Sequence, residues 1–503
     1  MMRHPRSGST VHTPSPSRVC TAALLAALSG CTTLPDPPSA PGSSPPTEGE
    51  SITEDADSGI SEERSGVDDD DSSDDSGADD TNTDAGPEDC GIDFGEDTPS
   101  NVLLISIDTL RRDDIGRYSG GDTTPRLDAL LETSLVLDSH ASCSNWTYPA
   151  MTCLLTGSDN SLQGFMPLAV EPLPDSHRML AEVLADGGYQ TTTVAAQGYF
   201  APNINLTQGY STVEANQQWT APEVVDLGLE YAARLEANNA PWLLHLHFFD
   251  PHIPYLADPS YRRGEEELAE APFDLTTVEG TDALQANYDV LTAADQALVR
   301  AHIDMLYQAD LRLVDESIGH LLDELRATGA LEDTLVVLVS DHGEQFFEHG
   351  EFEHGNALYG EETRALAAFW SESITPGVVT QRTTHADVMP TVLQILDIPA
   401  PETVRGAAVG LAPSARPTYT EAYIETPELL RISQSVTLND DRLIYWWDGR
   451  VEQYDLAADY GEQSDRYDPT TPTTQRLLEA LQPRIDAMQR ALPQHDPAPT
   501  DAF

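Results

Sequence analysis

Leu335-Val336-Val337-Leu338-Val339-Ser340-Asp341-His342-Gly343-Glu344 is the stretch that decides the fold. Its first five residues are all apolar and rich in Val, with no alternation of polar and apolar positions. Such a run is buried on both faces, which is the environment of a parallel strand covered by helices on either side. An acid and an imidazole follow at the carboxyl end, where open α/β sheets place their ligands. A carboxylate oxygen beside an imidazole nitrogen suits a borderline divalent cation. The same pair also caps helices or bonds within loops, so the use of Asp341 and His342 is decided by what stands at the other strand ends.

Working outward, strand-like apolar runs recur at 102–107, 191–195, 242–249, 335–340 and 366–370. Helical patterns lie between them, around 124–133, 149–156, 176–186, 222–236, 296–328 and 386–397. Strand alternating with helix predicts an α/β, doubly wound, largely parallel sheet over residues 99–415. Beyond it, segments 417–424, 431–437, 442–447 and 450–456 read as short meander strands closed by a helix near 473–491. They predict a small α+β subdomain over residues 416–495.

The chain has 503 residues, with 85 acids against 26 bases and a net charge of −59. Every base is Arg; there is no Lys. So acidic a surface repels nucleic acid, and no nucleic-acid partner is expected. At the N-terminus, Arg3, Arg6 and Arg18 precede an apolar segment, Val19 to Leu28, that is too short for a permanent anchor. It runs into Leu28-Ser29-Gly30-Cys31, which resembles a bacterial lipobox. Residues 1–31 therefore read as a lipoprotein signal with Cys31 as the acylated residue. An extracytoplasmic protein lipid-anchored to the cell envelope is expected, on the outer membrane or cell surface. Residues 32–98 are dominated by Pro, Ser, Gly, Asp and Glu, and predict a disordered acidic tether. With Cys31 lipidated, Cys90, Cys143 and Cys153 remain; one disulfide fits an oxidising compartment, and the sequence does not choose the pair.

Asp108 ends the first strand, in Val102-Leu103-Leu104-Ile105-Ser106-Ile107-Asp108. An acid there is costly unless it is paired or holds a ligand. Thr147, in Trp146-Thr147-Tyr148-Pro149, stands at a predicted helix start, where backbone amides favour an anion and where Thr also serves as an ordinary N-cap. His252 follows the strand His245-Leu246-His247-Phe248-Phe249-Asp250 in a Pro-stiffened loop. His245 and His247 alternate with apolar residues and read as satisfied sheet histidines. His349 and His354 follow Asp341-His342 in a Gly-broken loop, where histidines seldom serve packing.

These segments, together with Thr124-Pro125-Arg126-Leu127-Asp128, His385-Ala386-Asp387 and Tyr454-Asp455-Leu456, resemble the sulfatase branch of the alkaline-phosphatase superfamily over roughly residues 100–465. The resemblance implies a metal-dependent hydrolase or transferase of phosphate or sulfate esters, with an anionic ester as substrate. It places Asp108, Asp341, His342 and Thr147 on a divalent cation (Mn²⁺, Zn²⁺, Mg²⁺ or Ca²⁺), with a second cation open near Asp250 or His385. Thr147 falls at the nucleophile, Arg111 at the arginine closing the first motif, and His252 at a substrate-side histidine. His354 falls where formylglycine-dependent sulfatases carry a Lys.

Three departures shape the expected chemistry. Thr147 replaces the Cys or Ser that matures to formylglycine, Ala150 and Met151 replace the Ser and Arg of the maturation signal, and Thr109 replaces a second acid. No formylglycine is expected. A Thr nucleophile acting on phosphorus, as in the superfamily's phosphodiesterases and phosphoethanolamine transferases, is the implied reaction. A sulfuric ester hydrolase and a catalytically silent binding or scaffold lipoprotein are the alternatives. The sequence carries no signal for an oligomeric state.

Overall fold

The computed structural model describes residue 94 and residues 98–491, apart from 164–171, 202, 203, 205, 412–415 and 427–428. The lipobox and Cys31, the acidic tether apart from Phe94 and Thr98, and residues 492–495 of the expected C-terminal subdomain lie outside the described residues.

Eight strands form one central sheet: β1 (Asn101–Ile107), β2 (Leu135–Leu137), β3 (Gln190–Ala195), β4 (Thr212–Ala215), β5 (Trp242–Phe248), β6 (Thr334–Ser340), β7 (Ala367–Trp370) and β8 (Gly377–Val379). Their spatial order is β8-β2-β7-β6-β1-β5-β3-β4. All neighbouring pairs are parallel except those made by β7, which runs against both β6 and β2. The doubly wound, largely parallel expectation therefore holds, with one reversed strand inside the sheet.

The unbroken apolar character of β1 has a direct cause. Leu103, Ile105 and Ile107 face one core, and Val102 and Leu104 face a second one on the other side of the sheet. The strand β6 divides in the same way, with Val336 and Leu338 opposed to Leu335, Val337 and Val339. On the first face pack α1 (Pro125–Glu132), α4 (Ala221–Glu236) and the long α5 (Ala293–Thr328). The second face is covered by α2 (Thr147–Thr156), α3 (Leu180–Asp186) and α6 (Val388–Ile395). Every residue of α2 is buried, so the helix shows no polar stripe in its sequence.

The C-terminal unit is a four-stranded antiparallel meander, β9 (Thr418–Thr426), β10 (Leu429–Leu438), β11 (Asp441–Trp446) and β12 (Val451–Asp455), closed by α7 (Pro472–Ala491). Tyr423, Val436, Leu443, Leu477, Leu481 and Ile485 form its own core. It is joined to the main domain by buried charges: Arg484 reaches Asp159 at 2.6 Å, and Glu421 accepts from the Ser161 hydroxyl. Cys143 and Cys153 form a disulfide, which ties the segment entering α2 to the helix itself. No described helix is long and apolar enough to cross a membrane.

Candidate functional site

The strands β1 and β6 are neighbours at the centre of the sheet, with Ile107 opposite Ser340. The residues that follow them, Asp108 and Asp341, therefore emerge side by side at the carboxyl edge. The Asp341 amide donates to the Ile107 carbonyl (3.1 Å), and the Asp108 amide to the Phe248 carbonyl (2.9 Å), so both turns are locked to adjacent strands. Between them Thr109 takes a positive φ of 52°, a sparsely allowed conformation for a β-branched residue. It is held there by donation of its amide to Asp341 Oδ1 (3.1 Å) and by the Tyr307 hydroxyl, which donates to its carbonyl (2.9 Å).

Thr147 lies over this edge. The α2 helix begins at Thr147 itself, two residues before the predicted start, and Trp146 takes the N-cap position without a side-chain cap. Thr147 therefore keeps its hydroxyl free of capping duty. Its Oγ1 is 3.4 Å from each oxygen of Asp108 and 3.4 Å from His342 Nε2. His342 Nε2 is 3.6 Å from Asp108 Oδ1 and 3.5 Å from Asp341 Oδ2. The ring's other nitrogen, Nδ1, faces the Gly343 carbonyl at 2.9 Å, so Nδ1 carries the proton and Nε2 presents a lone pair.

These spacings fit a cation. Four ligand atoms about 2.1 Å from a tetrahedral ion stand about 3.4 Å from one another. That is close to the 3.4–3.6 Å found for Thr147 with Asp108 and with His342, and for His342 with Asp108 and with Asp341, and it is long for hydrogen bonds. Asp341 Oδ2 is buried without a hydrogen-bond partner, and so is the Oγ1 of Thr109. Asp108, Asp341 and His342 are all fully buried, and form one of two groups of metal-ligand side chains among the described residues. The other is Cys143, Cys153 and Asp159, in which both sulfurs are taken by the disulfide.

Electrostatics agree. Burial works against a charge on Asp108, but His252, His247 and His342 outweigh it and hold the carboxyl below its usual range. Burial, followed by the neighbouring Asp108 charge, pushes Asp341 up, and burial holds His342 neutral. Two acids so close, without a cation between them, repel each other. A neutral imidazole is the form that binds metal.

A wall of histidines borders the cluster. The His354 ring lies 4.6 Å from that of His342 and 4.9 Å from that of His252, and His252 stacks on Phe249. His252 Nδ1 faces the Ile253 carbonyl at 2.5 Å, and His354 Nδ1 faces Glu344 Oε1 at 2.9 Å. Burial lowers the proton affinity of both rings and pushes Glu344 up to about 8. The structure thus brings six of the sequence-predicted residues together: Asp108, Thr147, His252, Asp341, His342 and His354. Arg111 is placed differently. Its guanidinium is held by Asp114 (3.0 Å) and Glu348 (2.7 Å) and lies over the Phe346 ring, so two carboxylates already neutralise it.

Asp250 and His385 have structural duties. Asp250 Oδ2 accepts from the Ala221 amide (2.7 Å) at the start of α4, and His385 Nε2 faces the Asp341 carbonyl (2.7 Å). Neither joins a group of three metal-ligand side chains among the described residues. Two contributors to the site went unread in the sequence. Gln197 Nε2 donates to Asp108 Oδ2 (3.0 Å) from the turn after β3. His247, expected to be a satisfied sheet residue, bonds Ser106 through Nδ1 (2.8 Å) but leaves Nε2 unpartnered, 3.6 Å from Asp108 Oδ2. His245 is satisfied as expected, between Ser106 and Tyr210.

Comparison with known proteins fits this arrangement. The sulfatase family model matches residues 100–398. A choline-sulfatase of Rhizobium meliloti is 29% identical over 212 residues, which cover 39% of this chain and 40% of that protein. A phosphatidylethanolamine transferase, Mcr-2, of Escherichia coli is 37% identical over 91 residues, 17% of each chain. The chain thus matches less than half the length of either relative. The solved structure of BT4656, bound to D-glucosamine-2-N,6-O-disulfate, superposes with a TM-score of 0.63 at 18% identity, covering 80% of this chain and all of the other. With a family-model match spanning more than half its length, the chain belongs to the sulfatase family.

Proposed function

We propose that this sulfatase-family protein is a metal-dependent hydrolase or transferase of phosphate esters, with Thr147 as its nucleophile. The observation that carries the reading is the position of the Thr147 hydroxyl, 3.4 Å from Asp108 and from the lone pair of His342 in an otherwise fully buried cluster. A divalent cation held by Asp108, Asp341, His342 and Thr147 would lower the hydroxyl pKa and polarise an ester oxygen. The two carboxylates with one imidazole favour Zn²⁺ or Mn²⁺ over Ca²⁺, which prefers an all-oxygen shell.

The chain's own residues supply the rest. Thr147 sits in the first turn of α2, where backbone amides converge on the substrate side and favour an anion. His252 Nδ1 donates to the Ile253 carbonyl, which leaves Nε2 of that ring a proton acceptor in the neutral form, and the His354 ring beside it is anchored through Nδ1 to Glu344. In this reading His252, with His354 beside it, takes the nucleophile's proton and returns it to a departing alcohol. Attack of Thr147 on phosphorus gives a phospho-Thr enzyme, which water or an acceptor alcohol resolves. Formylglycine chemistry has no precursor here, because Thr147 carries a methyl group where the aldehyde would have to form. Arg111 joins anion binding only if Glu348 releases it. The lipobox at Cys31 supports tethering of this domain to a membrane of the cell envelope through the acidic segment.

The test is a panel of bis(p-nitrophenyl) phosphate, p-nitrophenyl phosphate, p-nitrophenyl phenylphosphonate and p-nitrophenyl sulfate, assayed with Zn²⁺, Mn²⁺, Mg²⁺ and Ca²⁺. Turnover of a phosphorus ester that is lost in Thr147→Ala, and partly kept in Thr147→Ser, supports the reading. Turnover of the sulfate ester alone, or an equal rate in Thr147→Ala, overturns it. Background rates throughout establish the scaffold alternative.

A further inference from the structure

Against a chain-wide excess of 85 acids over 26 arginines, one cavity gathers four arginines. It measures about 250 Å³ and lies where the central sheet meets the C-terminal meander. Arg112, Arg364, Arg382 and Arg442 line it, facing Asp138 and Asp440. Arg112 and Arg442 are buried, at 7% and 5% exposure. Such a concentration of like charge needs an account.

Part of it is internal pairing. Arg364 Nε is 3.2 Å from Asp113, Arg442 is 3.2 Å from Glu462, and Arg382 is 2.9 Å from Asp440. Arg112 donates to the Tyr460 hydroxyl (2.7 Å) and to the Asp138 carbonyl (2.5 Å), and its guanidinium also lies 3.6 Å from Asp113. This pairing leaves donors over. The Nε atoms of Arg112 and Arg442 are both buried without a hydrogen-bond partner. Orphaned guanidinium donors in a buried wall are costly, and a charge-assisted acceptor is the group that satisfies them. Burial, together with the Arg364 and Arg382 charges, also lowers the proton affinity of Arg442, against the opposing pull of Glu462 and Glu361.

We propose that this cavity is a binding site for a small oxyanion, of which inorganic phosphate and sulfate are the simplest representatives. The cavity has room for such an ion with accompanying water. It is separate from the metal cluster, yet its wall connects to it. His140 lines the cavity, its Nε2 bonds His385 Nδ1 (2.9 Å), and His385 Nε2 bonds the Asp341 carbonyl (2.7 Å). An anion seated against the arginines is thus two imidazoles away from the backbone of a candidate metal ligand. The inference does not depend on the proposed reaction, because it concerns binding alone.

The test is titration of inorganic sulfate, and separately phosphate, into chelator-treated full-length protein, followed by calorimetry. Removing metal silences the other anion-binding centre, and Thr147→Ala is run alongside. Arg382 is partly exposed and pairs with the exposed Asp440, so Arg382→Gln and Asp440→Asn both leave the buried packing in place. Saturable binding that survives in Thr147→Ala, weakens about tenfold in Arg382→Gln and tightens in Asp440→Asn supports the site. Opposite effects from the two members of one ion pair are not what loss of a structural bridge would give. No saturable binding, or one affinity shared by wild type, Arg382→Gln and Asp440→Asn, overturns it.

Discussion

His342 Nε2 and Thr147 Oγ1 stand 3.4 Å apart although 195 residues separate them in the chain. The first is presented by the turn after β6, the second by the start of α2, and both point at Asp108 at the end of β1. The separation is too long for a good hydrogen bond and right for two atoms sharing one ion.

Metal removal should therefore destabilise the fold as well as stop turnover. A cation bound at a hundred times its dissociation constant adds about 3 kcal/mol to stability. Chelation is expected to lower the melting temperature of wild type by several degrees. In His342→Ala the bound metal should fall below stoichiometric and the chelator-induced shift should shrink. Metal analysis and calorimetry on the same samples check both; an equal shift in the variant would remove His342 from the metal site.

Glu362 organises the loops around the site. Its carboxylate accepts from Asn145 Nδ2 (2.9 Å), from the Asn356 and Ala357 amides (3.2 and 3.0 Å) and from Gln345. Those donors lie next to Thr147, His354 and His342 in the sequence. Glu362→Ala leaves them buried and unpaired, and should cost about 3 kcal/mol in urea unfolding. Glu362→Gln retains one acceptor and should lose about half as much. Equal losses would mean that packing, not hydrogen bonding, gives the residue its weight.

Much of this was legible in the sequence, for a reason the cores make plain. Asp108 and Asp341 end strands that are buried on both faces, and such strands advertise themselves as unbroken apolar runs. Short edges do not. Leu135–Leu137 and Gly377–Val379 each have three residues, too few to show a period, and neither was anticipated. The reversal of Ala367–Trp370 was hidden because burial on both faces looks the same in either direction. Within the site, Gln197 and His247 were missed because each is a single polar residue in or beside a strand, and only the turn of its side chain toward Asp108 gives it a role. Arg111 was legible by position but not by partner, since Glu348 lies 237 residues away.

Gly343 shows why the turn after His342 needs a glycine. A Cβ at that position would lie 2.0 Å from the Glu361 carbonyl oxygen, a backbone atom that cannot swing away. The Gly343 amide also donates to the Glu362 carbonyl at 2.9 Å. Gly343→Ala should force the two segments apart, costing about 1–3 kcal/mol of stability. His342 must move with them, so metal affinity should fall in the same variant. Unchanged metal content in a destabilised protein would separate the turn from the site.

The last prediction concerns pH and Asp250. This carboxylate accepts from the Ala221 amide at the start of α4, yet burial pushes its pKa up from 3.8 to about 6, with Glu223 adding to the rise. A folded-state value above the unfolded one means that the fold favours the neutral form. The contribution is fully present below about pH 4 and is lost as pH rises through 6. Its ceiling is on the order of 3 kcal/mol, from a shift of about two units. Asp310, buried nearby and pushed up by burial and by the Asp250 charge, acts in the same direction. Asp250→Asn keeps an acceptor for the Ala221 amide and removes the charge. The variant should therefore gain stability relative to wild type between pH 4.5 and pH 7, measured by urea unfolding at each pH. A difference that stays constant across this range would show that Asp250 is ionised in the fold throughout, and that the helix amide outweighs burial.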